Sequence, residues 1–299
     1  MERGQSPQVR SRESNVKIED KSCASMREDA EMMLGGRRYR GERRFALVSF
    51  VVPADAYDRF MGRYSVLLSP QLADLAGIAD GQRVLDVGCG PGALTAELVA
   101  RAGPSAVSAI DPSEPFVAAA RARYPGVNVQ HASSEQLPFP DQVFDAALAQ
   151  LVVHFMSDPS AGLAEMRRVT RRDGVVAACV WDHAGGRGPL SPLWNAAREL
   201  NPRVEDESRL VGAREGDLVQ LFAAVGLREI EETPLSVSVE HPNFEEWWEP
   251  FTFGVGPAGS YVSGLDGERR AQLRERCRTL LPNPPFVLTA HAWTARGLA

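Results

Sequence analysis

Between residues 83 and 180 the chain alternates short apolar runs with longer stretches whose apolar residues recur every three or four positions. The runs at 84–87, 106–110, 127–130, 144–148 and 174–180 have strand length and are apolar almost throughout. Strands of that kind are buried on both faces. The stretches at 92–102, 114–123 and 158–171 carry helical spacing. Strands alternating with helices predict an α/β fold, a parallel sheet with helices over both faces. Upstream, residues 54–81 predict two short helices, the second carried by Leu72, Leu75 and Ile78. Downstream, a helix near 214–225 precedes two segments with partial alternation, 228–240 and 285–297. These predict an antiparallel strand pair at one sheet edge. Residues 241–284 between them hold "FEEWWEPF", a Gly-rich loop and an Arg/Glu-rich helix, with no repeat at solenoid spacing.

Composition separates the first 44 residues from the rest. They are charged, polar and poor in branched apolar residues, so they bury too little surface to offset the entropy of ordering. We read residues 1–44 as a disordered N-terminal extension or non-native leader, with a nucleic-acid or acidic-partner contact through Arg37, Arg38, Arg40, Arg43 and Arg44 as the alternative. The remainder, 45–299, reads as one domain of α/β type with cap elements within about 183–284. Over all 299 residues the formal charge is −6, which argues against nucleic acid, since phosphate neutralisation needs a basic face. No basic groove interleaved with aromatics is present. Cys23, Cys89, Cys179 and Cys277 are scattered, without metal-like spacing. Unpaired thiols suit a reducing compartment. With neither a membrane-length apolar run nor a signal-peptide centre, the expected location is cytoplasmic, and no metal is expected.

The chemistry concentrates in "RVLDVGCGPGALTAELVARAG", residues 83–103. A strand, a glycine turn and a helix make a cradle, because glycine turns tightly and the helix N-terminus supplies unpaired N–H groups. Gly88, Gly90 and Ala93 satisfy the dinucleotide spacing, and Asp111 follows about 20 residues on, where a ribose-binding acid falls. A nicotinamide oxidoreductase therefore stays open on spacing alone. Asp86 argues against it. A pyrophosphate beside that carboxylate meets repulsion of a few kcal/mol at an effective dielectric of about 20. A cationic ligand gains from the same charge, and S-adenosylmethionine carries an ammonium, a sulfonium and a ribose without phosphate.

"VLDVGCGPG" resembles the first motif of class I S-adenosylmethionine-dependent methyltransferases, of the type 11 group. The segment 133–159, "SSEQLPFPDQVFDAALAQLVVHFMSDP", is similar to that family's stretch around the fourth strand. The resemblance covers about 45–297. It implies a Rossmann-like, mostly parallel seven-stranded sheet, with S-adenosylmethionine as cofactor and a methyl acceptor as substrate. It further implies that Asp86 contacts the methionine ammonium, directly or through water, and that Gly88 and Gly90 let the backbone pass under the methionine. Asp111 is expected to bind both ribose hydroxyls. Where the family carries an acid near the adenine amino group, this chain has Ser133, leaving Ser133 and the Ser134 backbone to do that work. Gln150 is expected to border the methionine, and Tyr57 to fold over the site from the leading helix.

Methyl transfer needs a general base only where the nucleophile arrives protonated. His154, after the fourth strand, is the candidate, with a structural role as the alternative; His183, after "CVWD", is a weaker one. Tyr57, Phe60, Arg63, Tyr64, Trp181, Trp194, Trp247, Trp248, Phe251 and Phe253 suggest a pocket for an apolar or planar small molecule. For any one of them, a place in the core of the cap is the simpler reading. The function expected is methyl transfer to a small-molecule acceptor, with an NAD(P)-dependent oxidoreductase and a non-catalytic S-adenosylmethionine-binding protein as alternatives.

Overall fold

The computed structural model describes Met1 and residues 52–299. The expected N-terminal extension, with its arginine cluster and Cys23, lies outside the described residues beyond Met1.

The chain enters through α1 (Ala54–Tyr57), a π-helical turn at Asp58–Gly62, and α2 (Arg63–Leu75). There is thus one almost unbroken helical stretch where the pattern predicted two helices. Ile78 falls beyond its end, past Gly77 in the left-handed region, yet is buried. The alternating part follows as β1 (Val84–Val87), α3 (Ala93–Ala102), β2 (Val107–Asp111), α4 (Glu114–Arg123) and β3 (Asn128–His131). It continues with β4 (Phe144–Gln150), α5 (Pro159–Val169) and β5 (Thr170–Trp181). Then come α6 (Ser191–Leu200), α7 (Asp217–Ala224) and β6 (Arg228–His241). Helices α8 (Phe244–Trp248), α9 (Gly256–Gly264) and α10 (Gly267–Leu280) lead into β7 (Phe286–Leu298).

The seven strands form one sheet in the order β3-β2-β1-β4-β5-β7-β6. The first five run parallel, whereas β7 is antiparallel to both β5 and β6. The expected Rossmann-like sheet with its antiparallel C-terminal pair is what the chain forms. Strand β1 is buried at every position, as a strand covered on both faces must be. Alternate residues serve opposite faces. Val84, Ala146 and Leu148 pack with Leu68 and Leu72 of α2 and Leu94 and Leu98 of α3. Leu85, Val87, Ala147 and Ala149 pack with Leu163 and Met166 of α5 and Leu218 and Phe222 of α7.

The expected helix over 158–171 ends two residues early. Thr170 pairs with Phe144, the chain bulges, and pairing resumes at Ala146↔Val175. Asp173, in the left-handed region at φ 60°, makes that bulge. Beyond β5, α10 packs on α6. Phe244 stacks on Trp248, and Trp247 meets Phe251 edge-on. These aromatics, with Trp248 and Phe251 at 5% and 2% exposure, are interior packing.

The strand order reverses between β1, which leads outward to β2 and β3, and β4, which leads to β5. In open α/β sheets ligands bind in the crevice at the carboxyl ends of the strands flanking such a reversal.

Candidate active site

The glycine loop follows β1 and is stitched to β2 by its own backbone: the N–H groups of Gly88 and Cys89 both donate to the Ile110 carbonyl, at 2.8 and 2.9 Å. Gly88 (φ +73°) has no room for a side chain, since a Cβ there would lie 2.5 Å from Val152 Cγ2. Gly90 (φ +54°) is different: a Cβ would meet nothing within 4 Å. That open side belongs to a cavity of about 380 Å³, which Gly90 helps line, a size typical of small-molecule sites.

Asp111, the last residue of β2, is locked at the cavity edge. Gly90 N–H donates to one of its carboxylate oxygens and Ser113 N–H to the other, each at 2.8 Å. A carboxylate has about four acceptor positions, so the locked group can still accept from two hydroxyls. Burial pushes its carboxyl up to about 6, against the pull of those two backbone bonds.

On the far side of Asp111, Ser133 and Ser134 line the cavity together with Glu135. Both hydroxyls donate to Glu135 Oε2, and the backbone N–H of Asp158 donates to Oε1 at 3.1 Å. Burial alone would raise this carboxyl; these hydrogen bonds outweigh it and hold the group below the ordinary glutamate value. The structure thus brings a carboxylate, Glu135, to the cavity wall beside Ser133 and Ser134. Its signal was present in "SSE", where a serine two residues before a carboxylate invites a local turn.

Tyr57 and Gln150 line the same cavity. Tyr57 meets Phe116 edge-on at 5.4 Å, and burial pushes its phenol up to about 12. Gln150 donates through Nε2 to the Ser65 carbonyl at 3.2 Å, while its Oε1 is buried without a partner. Asp86 is the expected cofactor residue that does not line the cavity. It lies behind the glycine loop, 1% exposed, and accepts from Thr95 Oγ1.

The other end of the cavity is built from segments after β4 and β5 and from the C-terminal elaboration. His154 and His183 both line it, as do Trp181 and Glu207. Burial lowers both imidazoles, His183 to about 4, and His183, its ring 5.9 Å away, lowers His154 further. Glu207, which accepts from Trp194 Nε1 at 2.7 Å, is pushed up to about 7 by burial. Of the expected aromatics, Tyr57, Phe60 and Trp181 line the cavity. Arg63 and Tyr64 instead turn to His241, whose ring nitrogens lie 3.2 and 3.1 Å from them. Among the described residues no group of three or more potential metal ligands converges, and no helix is long and apolar enough to cross a membrane.

Residues 85–178, which span the sheet from β1 to β5, match the family described as "Methyltransferase domain". Over 253 residues the chain is 32% identical to an uncharacterized methyltransferase of Mycobacterium tuberculosis (strain ATCC 25618 / H37Rv), covering 83% of this chain and 92% of that one. A malonyl-[acyl-carrier protein] O-methyltransferase of Erwinia billingiae (strain Eb661) is 37% identical over 123 residues, 41% of this chain. The chain spans about half the length of that relative, 48%. Among solved structures, a protein from Anabaena variabilis described as an antibiotic-pathway methyltransferase superposes with a TM-score of 0.56 at 16% identity, over 78% of this chain and 97% of that one. At that identity the likeness is one of fold.

Proposed function

The chain belongs to the class I S-adenosylmethionine-dependent methyltransferases, and from that premise we propose that it methylates a small-molecule acceptor held in the cavity at the carboxyl ends of β1, β2, β4 and β5. The observation that carries the placement is Asp111: a carboxylate fixed by two backbone N–H groups, on the cavity wall, with acceptor capacity to spare.

The residues present fit the donor. Gly90 leaves its side of the cavity open where a Cβ would intrude, and Gln150 Oε1 is a buried acceptor in need of a donor. When bound, S-adenosylmethionine supplies an electrophilic methyl on a positively charged sulfur. Asp111 would accept the ribose hydroxyls in charge-assisted bonds. Glu135, ionised and oriented by Ser133 and Ser134, would hold the adenine amino group. Gln150 would border the methionine part, and Tyr57, a neutral phenol, would cover the site. Asp86, which Thr95 ties to the first turn of α3, acts as a positioning residue for the end of β1. His154 is neutral because it is buried, so its ring keeps a lone pair for a proton released by the acceptor. The chain's main contribution is alignment, which in well-oriented systems is worth up to ~7–11 kcal/mol.

We also read 183–284 as a cap that shapes the acceptor end, and the protein as cytoplasmic, in keeping with free, buried Cys89, Cys179 and Cys277.

The test is titration calorimetry of the full chain with S-adenosylhomocysteine and with NAD⁺, followed by incubation with labelled S-adenosylmethionine and pooled metabolites. The expected result is binding of the first ligand, none of the second, and products heavier by one methylene. Tight NAD⁺ binding without S-adenosylhomocysteine binding would overturn the placement, and absence of transferred label from every pool would favour a binding protein over an enzyme.

A further inference from the structure

The wall that follows β4 and β5 carries polar atoms that the protein itself leaves without partners. These strands pair so that Gln150 lies opposite Cys179, and His154 and His183 each come four residues later. The two rings approach edge to face, with centroids 5.9 Å apart. Each histidine is more than nine-tenths buried, at 8% and 7% exposure, and both line the cavity. Within the protein, His154 Nδ1 and His183 Nε2 have no hydrogen-bond partner. Buried polar atoms are seldom left in that state, and a ligand group at this end of the cavity, with the two rings turned toward it, would complete them.

The surroundings narrow the group. Among the described lining residues none is lysine or arginine, so nothing there would compensate a carboxylate or phosphate taken out of water. Trp181, Leu190, Val255, Pro257 and Ala258 make the neighbouring wall apolar, and the one carboxyl among the described residues at this end, Glu207, is pushed up to about 7 by burial and already accepts from Trp194. A neutral imidazole offers one N–H and one lone pair. A hydroxyl, which both accepts and donates, can satisfy one ring with each function; an ammonium only donates.

We propose that His154 and His183 form an acceptor-recognition pair that binds the hydroxyl of a neutral, largely apolar molecule, so that the methyl is delivered to oxygen. This assignment rests on the methyltransferase reading above. The hydroxyl oxygen forms the new bond to carbon with its own lone pair. The carbon–sulfur bond breaks with its electrons retained by sulfur. The hydroxyl proton passes to the His154 lone pair, and the imidazolium returns it to water when the product leaves.

The experiment uses the full chain loaded with S-adenosylhomocysteine and compares three probes by calorimetry: 4-propylphenol, its methyl ether and 4-propylbenzylamine. The phenol should bind about tenfold or more tighter than the ether, the loss expected when a buried hydrogen bond is removed. His154→Phe and His183→Phe should each abolish that preference while S-adenosylhomocysteine still binds as in the parent. His183→Gln, which keeps a polar atom, should retain part of it and covers the case in which the Phe variant does not fold. Equal binding of phenol and ether, tighter binding of the amine, no binding of the phenol, or a preference that survives both Phe substitutions would overturn the proposal. Failure of the parent to bind S-adenosylhomocysteine would instead refute the donor site, and the phenol preference is then read on the unloaded chain.

Discussion

Thr95 Oγ1 donates to Asp86 Oδ2 at 2.6 Å, tying the end of β1 to the first turn of α3 beneath the glycine loop. Burial pushes the Asp86 carboxyl up to about 7, and the Thr95 bond works against that rise. Thr95→Val should therefore leave a buried carboxylate short of a donor and destabilise the fold by about 1–3 kcal/mol. The loss should be larger at pH 8 than at pH 6, where the folded-state carboxyl takes up a proton and needs the donor less. Urea unfolding at the two pH values measures it; midpoints equal to the parent's at both would show that the bond contributes nothing.

Asp111 gives binding a pH dependence of definite sign. Its carboxyl is pushed up to about 6 chiefly by burial, and in the proposed role it would accept ribose hydroxyls as the carboxylate. S-adenosylhomocysteine affinity should be full well above pH 6 and fall as the pH drops through about 6. Asp111→Asn should bind more weakly by about 1–3 kcal/mol at pH 8 and show a flatter profile. Parallel curves for parent and variant would remove Asp111 from the ribose site.

The two loop glycines should fail differently. Gly88→Ala combines a left-handed backbone, worth roughly 1–2 kcal/mol against any L side chain, with a Cβ 2.5 Å from Val152 Cγ2. Gly90→Ala meets only the backbone cost, because its Cβ has open space. The first should lower the melting temperature more, and the second should lose more S-adenosylhomocysteine affinity per degree of melting temperature lost. Thermal unfolding with and without the ligand separates them, and identical ratios would mean that Gly90 does not border the ligand.

The sequence pattern carried the sheet because its evidence is local: β1, β2 and β4 are apolar runs of strand length, and the glycines and Asp111 sit at their ends. It carried less where tertiary geometry decides. Asp86 shares the Val84 face of β1, which is the face covered by α2 and α3, and there its carboxylate is taken up by Thr95. Glu135 escaped a column-by-column comparison because a local turn returns its carboxylate to Ser133 and Ser134. Glu207 and His183 lie in segments without periodicity, and only the folding of the C-terminal elaboration over β5 brings them to the cavity. For the tryptophans of "FEEWWEPF" the simpler of the two sequence readings holds: Trp247 and Trp248 pack against Phe244 and Phe251.

Glu135 is the test of the adenine end. Glu135→Ala removes the common acceptor of Ser133 and Ser134 and the partner of the Asp158 N–H. Weaker S-adenosylhomocysteine binding by about 1–3 kcal/mol is expected, whereas Glu135→Gln should keep the side-chain oxygen and lose less. A discriminating ligand is inosylhomocysteine, which lacks the exocyclic amino group. The Ala variant should bind it about as well as the parent does, and an equal loss for both ligands would mean that Glu135 shapes the loop without meeting adenine.

The buried ionisable groups also set opposing slopes on stability. A histidine lowered by burial, such as His183 at about 4, leaves the unfolded chain binding more protons between about pH 6.5 and 4, so stability falls on acidification through that window. Asp86 and Glu207, raised to about 7, and Asp111, raised to about 6, do the reverse. Their folded forms take up protons that unfolded carboxyls release, and stability rises on acidification over an overlapping range. In the parent the two trends offset, so its unfolding free energy should change little from pH 7 to 5. His183→Phe deletes one side of that balance. Relative to the parent it should gain stability steadily as the pH falls from 6.5 to 4, on the order of 2–3 kcal/mol at the lower limit. Asp182 and Asp206 act on His183 in the opposite sense, favouring its charged form, and set how much of that gain appears. A stability difference between the two proteins that stays constant over the whole range would show that His183 is free to protonate in the folded state, and with it that the acceptor end of the cavity is open to water.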